Sequence, residues 1–357
     1  MHNRDAGTKG SRFQGVACII CAFLFAAALL SAIAIGSVPV SPADIWNILM
    51  KRIFGIGDTT GIPASIVTII EMVRLPRVVL AAMVGGALSV SGAVMQGLLK
   101  NPLADGSTLG VSSGGALGAV LTIVLGIRLS IFPELGLTLS SIMFSFLSLI
   151  FILTLSYKID YHLSTNTIIL TGVIFSMLAG SITSLLVVLS GDSLKQVIFW
   201  SMGSFSGKGW QHVLVMLPFF LAGSLVLIAY SKELNAFSLG EEQARYLGVN
   251  TRTVKMVILI MVALLIGAAV SVSGMIGFVG LAIPHITRMI SGPDHRKLLP
   301  ASILTGSIFM MITDLLSRTL ISPEEIPVGV VTSFAGSIIF IVIFYRHSRS
   351  VRTPLRQ

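Results

Sequence analysis

Long apolar runs occupy most of this chain and constrain its fold more than any other feature. A helix needs about 20 residues to cross a lipid bilayer. Eight runs of that order lie near residues 16–36, 78–99, 109–127, 135–157, 167–190, 213–230, 298–317 and 328–345. A ninth run, 256–287, is too long for one crossing, and its glycines Gly274, Gly277 and Gly280 predict a break into two helices. The chain is therefore predicted to be an all-α polytopic membrane protein with about ten transmembrane helices.

The amino-acid composition agrees with a membrane protein. Hydrophobic residues make up 54% of the chain and charged residues 11%, whereas a soluble domain has about 25% charged residues. The first apolar run, preceded by Arg4, Lys9 and Arg12, resembles a signal peptide, but its core is longer than a signal core, so we expect an uncleaved helix. Within it, Cys18 and Cys21 are more typical of packing residues than of a redox pair or metal site.

The distribution of lysine and arginine predicts the orientation. If the N-terminus is cytoplasmic and the helices alternate in direction, 16 of the 24 lysines and arginines fall on the cytoplasmic side and 8 on the other. Membrane proteins retain positive residues on the cytoplasmic side. We therefore expect both termini in the cytoplasm. The net charge of +9 then reflects orientation and contact with membrane lipid, and no nucleic-acid partner is expected.

This topology divides the chain into three parts. Residues 1–15 are predicted to form a cytoplasmic N-terminal tail and residues 16–346 a ten-helix transmembrane domain. That domain carries one long polar cytoplasmic loop at 236–250. Residues 347–357 are expected to form a basic cytoplasmic tail that is disordered and contacts anionic lipid.

A short internal repeat predicts two related halves. The tetrapeptide SVSG occurs at 89–92 and 271–274, and a proline follows each copy ten residues after its glycine, as Pro102 and Pro284. The copies fall on the second and seventh predicted helices, so equivalent segments would cross the membrane in opposite directions. Transporters commonly have such an inverted repeat, and we predict one that relates helices 2–5 to helices 7–10. The alternative is that small residues recur wherever helices pack closely.

Charged residues are nearly absent from the apolar runs. Asp314 is the one acid well inside a run, and Arg318 four residues later predicts a local ion pair. A proton relay needs a series of acidic residues within the membrane, and the apolar runs contain no such series. The sequence also lacks a nucleotide-binding loop, a catalytic nucleophile motif and metal-ligand spacing. We expect no enzyme activity and no cofactor or metal in this chain, and an ion-coupled secondary transporter is a competing class.

The loop at 236–250 contains the segment GEEQARYLGV (240–249), which predicts a short helix. Glu241 and Glu242 lie at its positive N-terminal end, and Arg245 follows at helical spacing. Such a helix is either a solvated turn or an element that docks into a partner. Because the chain has no nucleotide site, an ATPase partner would need a docking element of this kind.

Four segments carry a resemblance to a known family. They are RLPRVVLAAMVGGALSVSGAVMQGLLKNPLADGSTLGVSSGGALGA (74–119), GEEQARYLGV (240–249), GMIGFVGLAIPHITR (274–288) and EIPVGVVTSFAGSIIFI (325–341). In this order they closely resemble the FecCD family of ATP-binding-cassette (ABC) importer permeases, which take up iron-siderophores, haem and cobalamin. The resemblance runs from about residue 40 to residue 346.

The resemblance implies a permease subunit of the bacterial cytoplasmic (inner) membrane, with several partners. It pairs with a second permease subunit, identical or paralogous, and works with two cytoplasmic ATPase subunits that bind the ATP. An extracytoplasmic substrate-binding protein delivers the substrate. The polar loop is implied to be the element coupled to the ATPase, through the residues Leu239, Gly240, Glu241, Glu242, Ala244, Arg245, Leu247 and Gly248.

Docking and gating residues are also implied only by the resemblance. Outward arginines of the family meet acids of the binding protein, and the matching residues are Arg74, Arg77 and Arg318. Without the resemblance, Arg74 and Arg77 would be interpreted as interface anchors. Thr165 and Asn166 match the cytoplasmic gate, although helix capping by Ser164 or Thr165 explains that segment equally.

An iron-siderophore is the first substrate hypothesis, because it is the commonest substrate class of the family. Cobalamin and haem are the alternatives. The segment 198–210 lies near the outer mouth in family members, and it contains Trp200, Phe205 and Trp210. These aromatic residues are interpreted either as lining the mouth or as anchors at the lipid interface.

Overall fold

The computed structural model describes residues 5–36, 38, 40–127, 136–161 and 163–351. All regular secondary structure in these ranges is helical. The α-helices are α1 (Asp5–Ala34), α2 (Pro42–Phe54), α3 (Ala64–Thr68), α4 (Leu75–Leu98), α5 (Val111–Val124), α6 (Gly136–Ile159), α7 (Thr165–Leu189), α8 (Leu194–Ser201), α9 (Trp210–Ala229), α10 (Ser231–Leu239), α11 (Glu241–Tyr246), α12 (Thr251–Ser273), α13 (Val279–Ser291), α14 (His295–Thr319) and α15 (Val328–Val351). A π-helical segment, Ile69–Arg74, joins α3 to α4.

Each predicted apolar run contains a helix, and the predicted break in the ninth run is confirmed. That run divides into α12 and α13, and Gly274 ends α12 with a φ of 73°. Six helical segments are long and apolar enough to cross a membrane: Ala64–Leu98, α6, α7, α9, α12 and α14. The apolar parts of α1, α5 and α15 are shorter, and α13 has 13 residues. The all-helical membrane fold is therefore confirmed, and the number of ten crossings stays a prediction.

The helices at the two ends of the chain extend beyond the apolar runs. α1 begins at Asp5 and α15 continues to Val351, so helix enters both stretches that were expected to be tails. The physical reason is that charge decides where a helix leaves the lipid, whereas backbone hydrogen bonds decide where it ends. Residues 1–4 and 352–357 of the predicted tails lie outside the described residues.

Helix α4 is the centre of the fold, and glycine allows its neighbours to approach its backbone. A Cβ atom built on Gly85 would lie 2.3 Å from the carbonyl oxygen of Gly306 in α14. A Cβ on Gly92 would lie 1.8 Å from the carbonyl oxygen of Gly280 in α13. Side-chain contacts between helices in lipid gain little from the hydrophobic effect, so close backbone packing supplies the stabilisation. Nearly every residue of α4 is buried as a result.

The small residues at 110–118 produce a second close contact. A Cβ on Gly114 would lie 2.4 Å from Ser148 Oγ, and one on Gly115 would lie 2.5 Å from Ser145 Oγ. Both serines belong to α6. The small residues at 110–118 therefore allow α5 and α6 to pack closely.

The two SVSG copies differ in local structure. The first lies inside the continuous helix α4, whereas the second ends α12 at Ser273 and Gly274. Pro102 follows α4 outside any helix, whereas Pro284 lies within α13. The aligned segments are therefore not locally equivalent, and the inverted repeat that relates helices 2–5 to helices 7–10 stays a prediction.

Contacts between distant segments define two ends of the bundle. At the end that we call the arginine end, the C-terminus of α1, the start of α4 and the end of α14 meet. At the opposite end, which we call the α11 end, the loop around Gly240 lies near Lys100 and Asn235 hydrogen-bonds to Asp294. These groupings agree with the alternating helix directions used to predict the topology.

Replacing Gly92 should test the packing of α4 directly. Gly92→Ala forces a methyl group into the backbone of Gly280, so we expect a loss of about 1 to 3 kcal/mol in the free energy of unfolding. Thermal unfolding of the purified protein in detergent measures this loss. Gly180→Ala is the matched control, because its Cβ meets nothing within 4 Å, and equal melting temperatures of the two variants would contradict the packing argument.

Candidate functional site

A buried ion-pair network lies at the arginine end. Arg77 donates from Nε to Asp314 Oδ1 at 3.0 Å and from Nη2 to the same oxygen at 2.9 Å. Its Nη1 and Nη2 atoms also reach Glu325 Oε1 and Oε2 at 2.8 and 3.1 Å. Asp314 has no exposed surface and Arg77 is 7% exposed. The network joins α4, α14 and the segment before α15 through charge-assisted hydrogen bonds.

Arg318 and Arg74 extend this network to the end of α1. Arg318 lies 3.2 Å from Asp314 Oδ2 and donates to the carbonyl oxygen of Ala32 at 2.8 Å. Arg74 donates from Nη1 to the carbonyl oxygens of Ile33 and Ala34, both at 2.9 Å. The last carbonyls of a helix have no partners within that helix and carry partial negative charge. The arginines therefore cap α1.

The network confirms one prediction. The three arginines predicted to dock the binding protein are largely buried in the single chain: Arg74 is 5% exposed, Arg77 7% and the side chain of Arg318 8%. Their guanidinium groups are buried because Asp314, Glu325 and the end of α1 already bind them. The local pair of Asp314 with Arg318 is confirmed, although Asp314 binds Arg77 as well. A docking role for these arginines stays a prediction.

Helix α11 forms the predicted short charged helix at the opposite end. Gly240 precedes it with a φ of 136°, a conformation that favours glycine. Arg245 Nη2 lies 3.5 Å from Glu241 Oε1, which confirms their helical pairing, and Glu242 and Gly248 are exposed. Ala244 is fully buried and fixes the helix to the bundle.

The outer surface of the α11 region is apolar. Leu239 is 63% exposed, Tyr246 91% and Leu247 64%. These residues surround a helix that also carries the charged residues Glu241, Glu242 and Arg245. Large exposed apolar groups with a polar surround mark protein interaction sites.

A buried lysine connects α11 to the start of α7. Lys255 Nζ donates to both carboxylate oxygens of Glu241, at 3.0 and 2.9 Å, and to the carbonyl oxygen of Leu163 at 3.0 Å. Lys255 is 3% exposed. Leu163 has a φ of 52°, which is uncommon for a residue other than glycine. Sequence reasoning missed both residues, because their contacts join segments that are distant in sequence.

The two predicted gate residues lie at the start of α7, close to this lysine contact. Thr165 is the first residue of the helix and half-buried, and Asn166 is exposed. Ser164 occupies the N-cap position, but its hydroxyl bonds to Thr167 Oγ1 at 2.9 Å instead of a backbone N–H. Asp160 Oδ2 accepts the backbone N–H of Ser164 at 2.9 Å. Capping by the Ser164 side chain is therefore wrong, and the gate role stays a prediction.

A cation–π contact between one arginine and two tyrosines lies beside this turn. The Arg252 guanidinium lies 5.0 Å from the ring centre of Tyr161 and 5.4 Å from that of Tyr157. Hydrogen bonding with Arg252, and secondly with Tyr157, lowers the pKa of the Tyr161 hydroxyl. Arg252 thus attaches the first turn of α12 to the segment that precedes α7.

A comparison with known protein families shows to which family the chain is related. The model of the FecCD transport family matches residues 23–346. The chain belongs to this family. It is a FecCD permease, a non-catalytic membrane subunit of an ABC importer, in a family whose members work with separate ATPase subunits and a substrate-binding protein.

Relatives of this FecCD permease are similar over most of their length. An uncharacterised ABC transporter permease of Bacillus subtilis is 45% identical over 94% of this chain and 96% of its own. The cobalamin import system permease of Halobacterium salinarum is 40% identical, with 82% and 77% covered. The hemin transport system permease of Yersinia pestis is 42% identical, with 77% and 82% covered.

A solved structure supports the same fold for the FecCD permease. It shows an inward-facing conformation of a putative metal-chelate type ABC transporter, with 33% identity and a TM-score of 0.80. The match covers 92% of this chain and 98% of the solved chain. The agreement therefore extends over most of the chain.

The aromatic residues of segment 198–210 have different environments in the FecCD permease. Phe205 is fully buried in the core, so it does not line a mouth in this structure. Trp210 donates from Nε1 to the carbonyl oxygen of Glu71 at 2.8 Å, and Trp200 packs partly against the core. A single sequence does not distinguish an aromatic residue of the core from one at an interface.

Neutralising Asp314 should destabilise the FecCD permease strongly. Asp314→Asn leaves Arg77 and Arg318 buried with half of their compensating charge, so we expect a loss of about 3 kcal/mol or more. Thermal unfolding in detergent measures the loss. Glu324→Gln changes an exposed acid ten residues away and serves as control. A melting temperature of Asp314→Asn equal to that of the control would show that the network does not stabilise the fold.

Proposed function

We propose that this permease imports an iron-siderophore complex across the cytoplasmic membrane, driven by ATP hydrolysis in partner subunits. The observation that carries the proposal is the α11 surface. It presents the exposed apolar side chains of Leu239, Tyr246 and Leu247 beside the charged residues Glu242 and Arg245. Because the chain has no nucleotide site, an ATPase can drive its movement only by binding to it, and this binding needs such a surface.

The buried charges favour this mode over ion-coupled transport. Among the acidic side chains whose exposure the structure describes, that of Asp314 is the buried one. Its carboxylate is already bonded to Arg77 and Arg318, so it is not available to carry a coupling ion. A proton or sodium relay would need acids with free oxygens along the bundle.

We propose a transport cycle of alternating access. Two copies of the permease, identical or paralogous, enclose a central path and bind two cytoplasmic ATPases through their α11 helices. ATP binding and hydrolysis move α11 and tilt the membrane helices, and Thr165 and Asn166 narrow the cytoplasmic end. In this orientation both chain termini and the α11 end lie in the cytoplasm.

The arginine end is then the face for the substrate-binding protein. Arg74, Arg77 and Arg318 would exchange their internal partners for acids of that protein when it docks. Such pairs supply register and association rate more than affinity. Glu325, which binds Arg77 here, is the internal competitor that docking would displace.

The substrate assignment rests on the chemistry of the relatives' substrates. Hemin and cobalamin are metal chelates, and the similar solved structure is described as metal-chelate type. An iron-siderophore belongs to the same class, in which the ligand encloses the metal and the path needs no metal-binding residue. Haem and cobalamin themselves are the alternative substrates for this permease.

Uptake by cells measures the substrate. Cells with and without this gene receive labelled iron on a panel of siderophores, and labelled haem and cobalamin in parallel. We expect the deletion to abolish uptake of one iron-siderophore while the others continue. Loss of haem or cobalamin uptake with iron-siderophore uptake unchanged would keep the importer and overturn the iron-siderophore assignment.

A charge on the α11 surface should separate the permease from its ATPase. Leu247→Glu places a carboxylate in the proposed apolar contact, and we expect about 30-fold weaker binding, as for an interface hot spot. Co-purification and titration with the ATPase subunit measure it. The control is Ile56→Glu, which changes a side chain 80% exposed in the loop after α2. Equal binding by both variants would contradict the α11 assignment.

A further inference from the structure

We propose that Lys255 is a positioning residue that transmits movement of α11 to the first turn of α7. The inference rests on the proposed function, because it assumes that an ATPase moves α11. It adds a component that the family resemblance did not supply, namely the physical connection between the coupling helix and the gate helix. Three contacts carry it, from α11 through α12 to α7.

The ammonium group of Lys255 has no spare bonding capacity. It has three N–H donors, and three acceptors surround it: both carboxylate oxygens of Glu241 and the carbonyl oxygen of Leu163, all at 2.9 to 3.0 Å. A buried ammonium that loses a partner is costly. When Glu241 moves with α11, the lowest-energy response is for the lysine and its remaining partner to follow.

Leu163 is the residue through which the movement of α11 would reach α7. Its left-handed backbone conformation and its burial make it a bend held by its surroundings. The gate helix starts immediately afterwards, with Ser164 at the N-cap and Thr165 as the first residue. Asp160 binds the N–H of Ser164, so the bend and the first turn of α7 form one hydrogen-bonded unit.

Lys255 differs from the neighbouring contacts in one respect. Arg252 also joins α12 to this unit, through Tyr157 and Tyr161, but it has no described contact with α11. Lys255 hydrogen-bonds both to Glu241 of α11 and to Leu163 of the bend. If Lys255 served only to neutralise Glu241, movement of α11 would not be transmitted through the Leu163 carbonyl to α7.

Two cysteine reporters test the connection in the assembled complex. The permease is purified with its ATPase partner and placed in lipid nanodiscs, with Cys18 and Cys21 replaced by serine. One version carries Gln243→Cys on α11 and another Asn166→Cys on α7, both at exposed positions. The reaction rate of each cysteine with a hydrophilic maleimide is measured with and without ATP and orthovanadate.

In the parent complex we expect both reporters to change their rate when nucleotide is added. Lys255→Met keeps an unbranched side chain of similar length but removes the ammonium. In this variant we expect Gln243→Cys to respond as before, while the response of Asn166→Cys falls about tenfold, within the usual range of coupling between sites. ATP hydrolysis should continue while transport declines. A merely structural lysine would affect both reporters together.

Control variants separate the outcomes. Lys297→Met makes the same change at an exposed lysine of the same end and should leave both reporters unchanged. If the Lys255→Met complex does not assemble, the same reporters are measured in Glu241→Gln. This change weakens the link between Lys255 and α11 and leaves the Leu163 bond in place, so the response of Asn166→Cys should fall. A normal Asn166→Cys response in an assembled variant overturns the role of Lys255. If the labelling rate of Gln243→Cys in the parent complex does not change with nucleotide, the proposed function itself is overturned, and the inference with it.

Discussion

The fold depends on how closely other helices approach the backbone of α4. Gly85 meets Gly306 of α14, and Gly92 meets Gly280 of α13, at distances where no Cβ atom fits. In lipid, such backbone contacts replace the hydrophobic driving force of a soluble core. The same two helices, α4 and α14, carry Arg77 and Asp314, which lie within hydrogen-bond distance of each other. Glycine packing and the ion-pair network thus join the same pair of helices.

Most of the helix arrangement could be predicted, because its signals are local. Lipid requires the backbone to bond within each helix, so apolar length alone locates the helices, and the glycines at 274–280 mark the break. The short helix α11 follows from its acidic start and the spacing of Arg245. Each of these predictions uses residues within a few turns of one another.

The burial of the arginines could not be predicted, because their partners are distant. Asp314 and Glu325 are 237 and 248 residues from Arg77, and Arg74 binds main-chain carbonyls, which leave no mark in the sequence. The same limit applies to Lys255, whose contact is the carbonyl of Leu163. A single sequence indicates that a charge near an apolar run needs a partner, but not which one. The family resemblance supplied a role for the arginines, and the structure supplies their present partners.

The break between α12 and α13 has a consequence for the surroundings of the chain. A helix of 13 residues spans about 20 Å, less than the roughly 30 Å hydrocarbon layer. In the predicted topology, in which α13 belongs to a crossing, the non-helical backbone between Gly274 and Phe278 lies at membrane depth, and Met275 and Gly277 are exposed on the surface of the single chain. Acyl chains offer no hydrogen bonds to such a backbone. In that topology this face must meet water or protein rather than lipid.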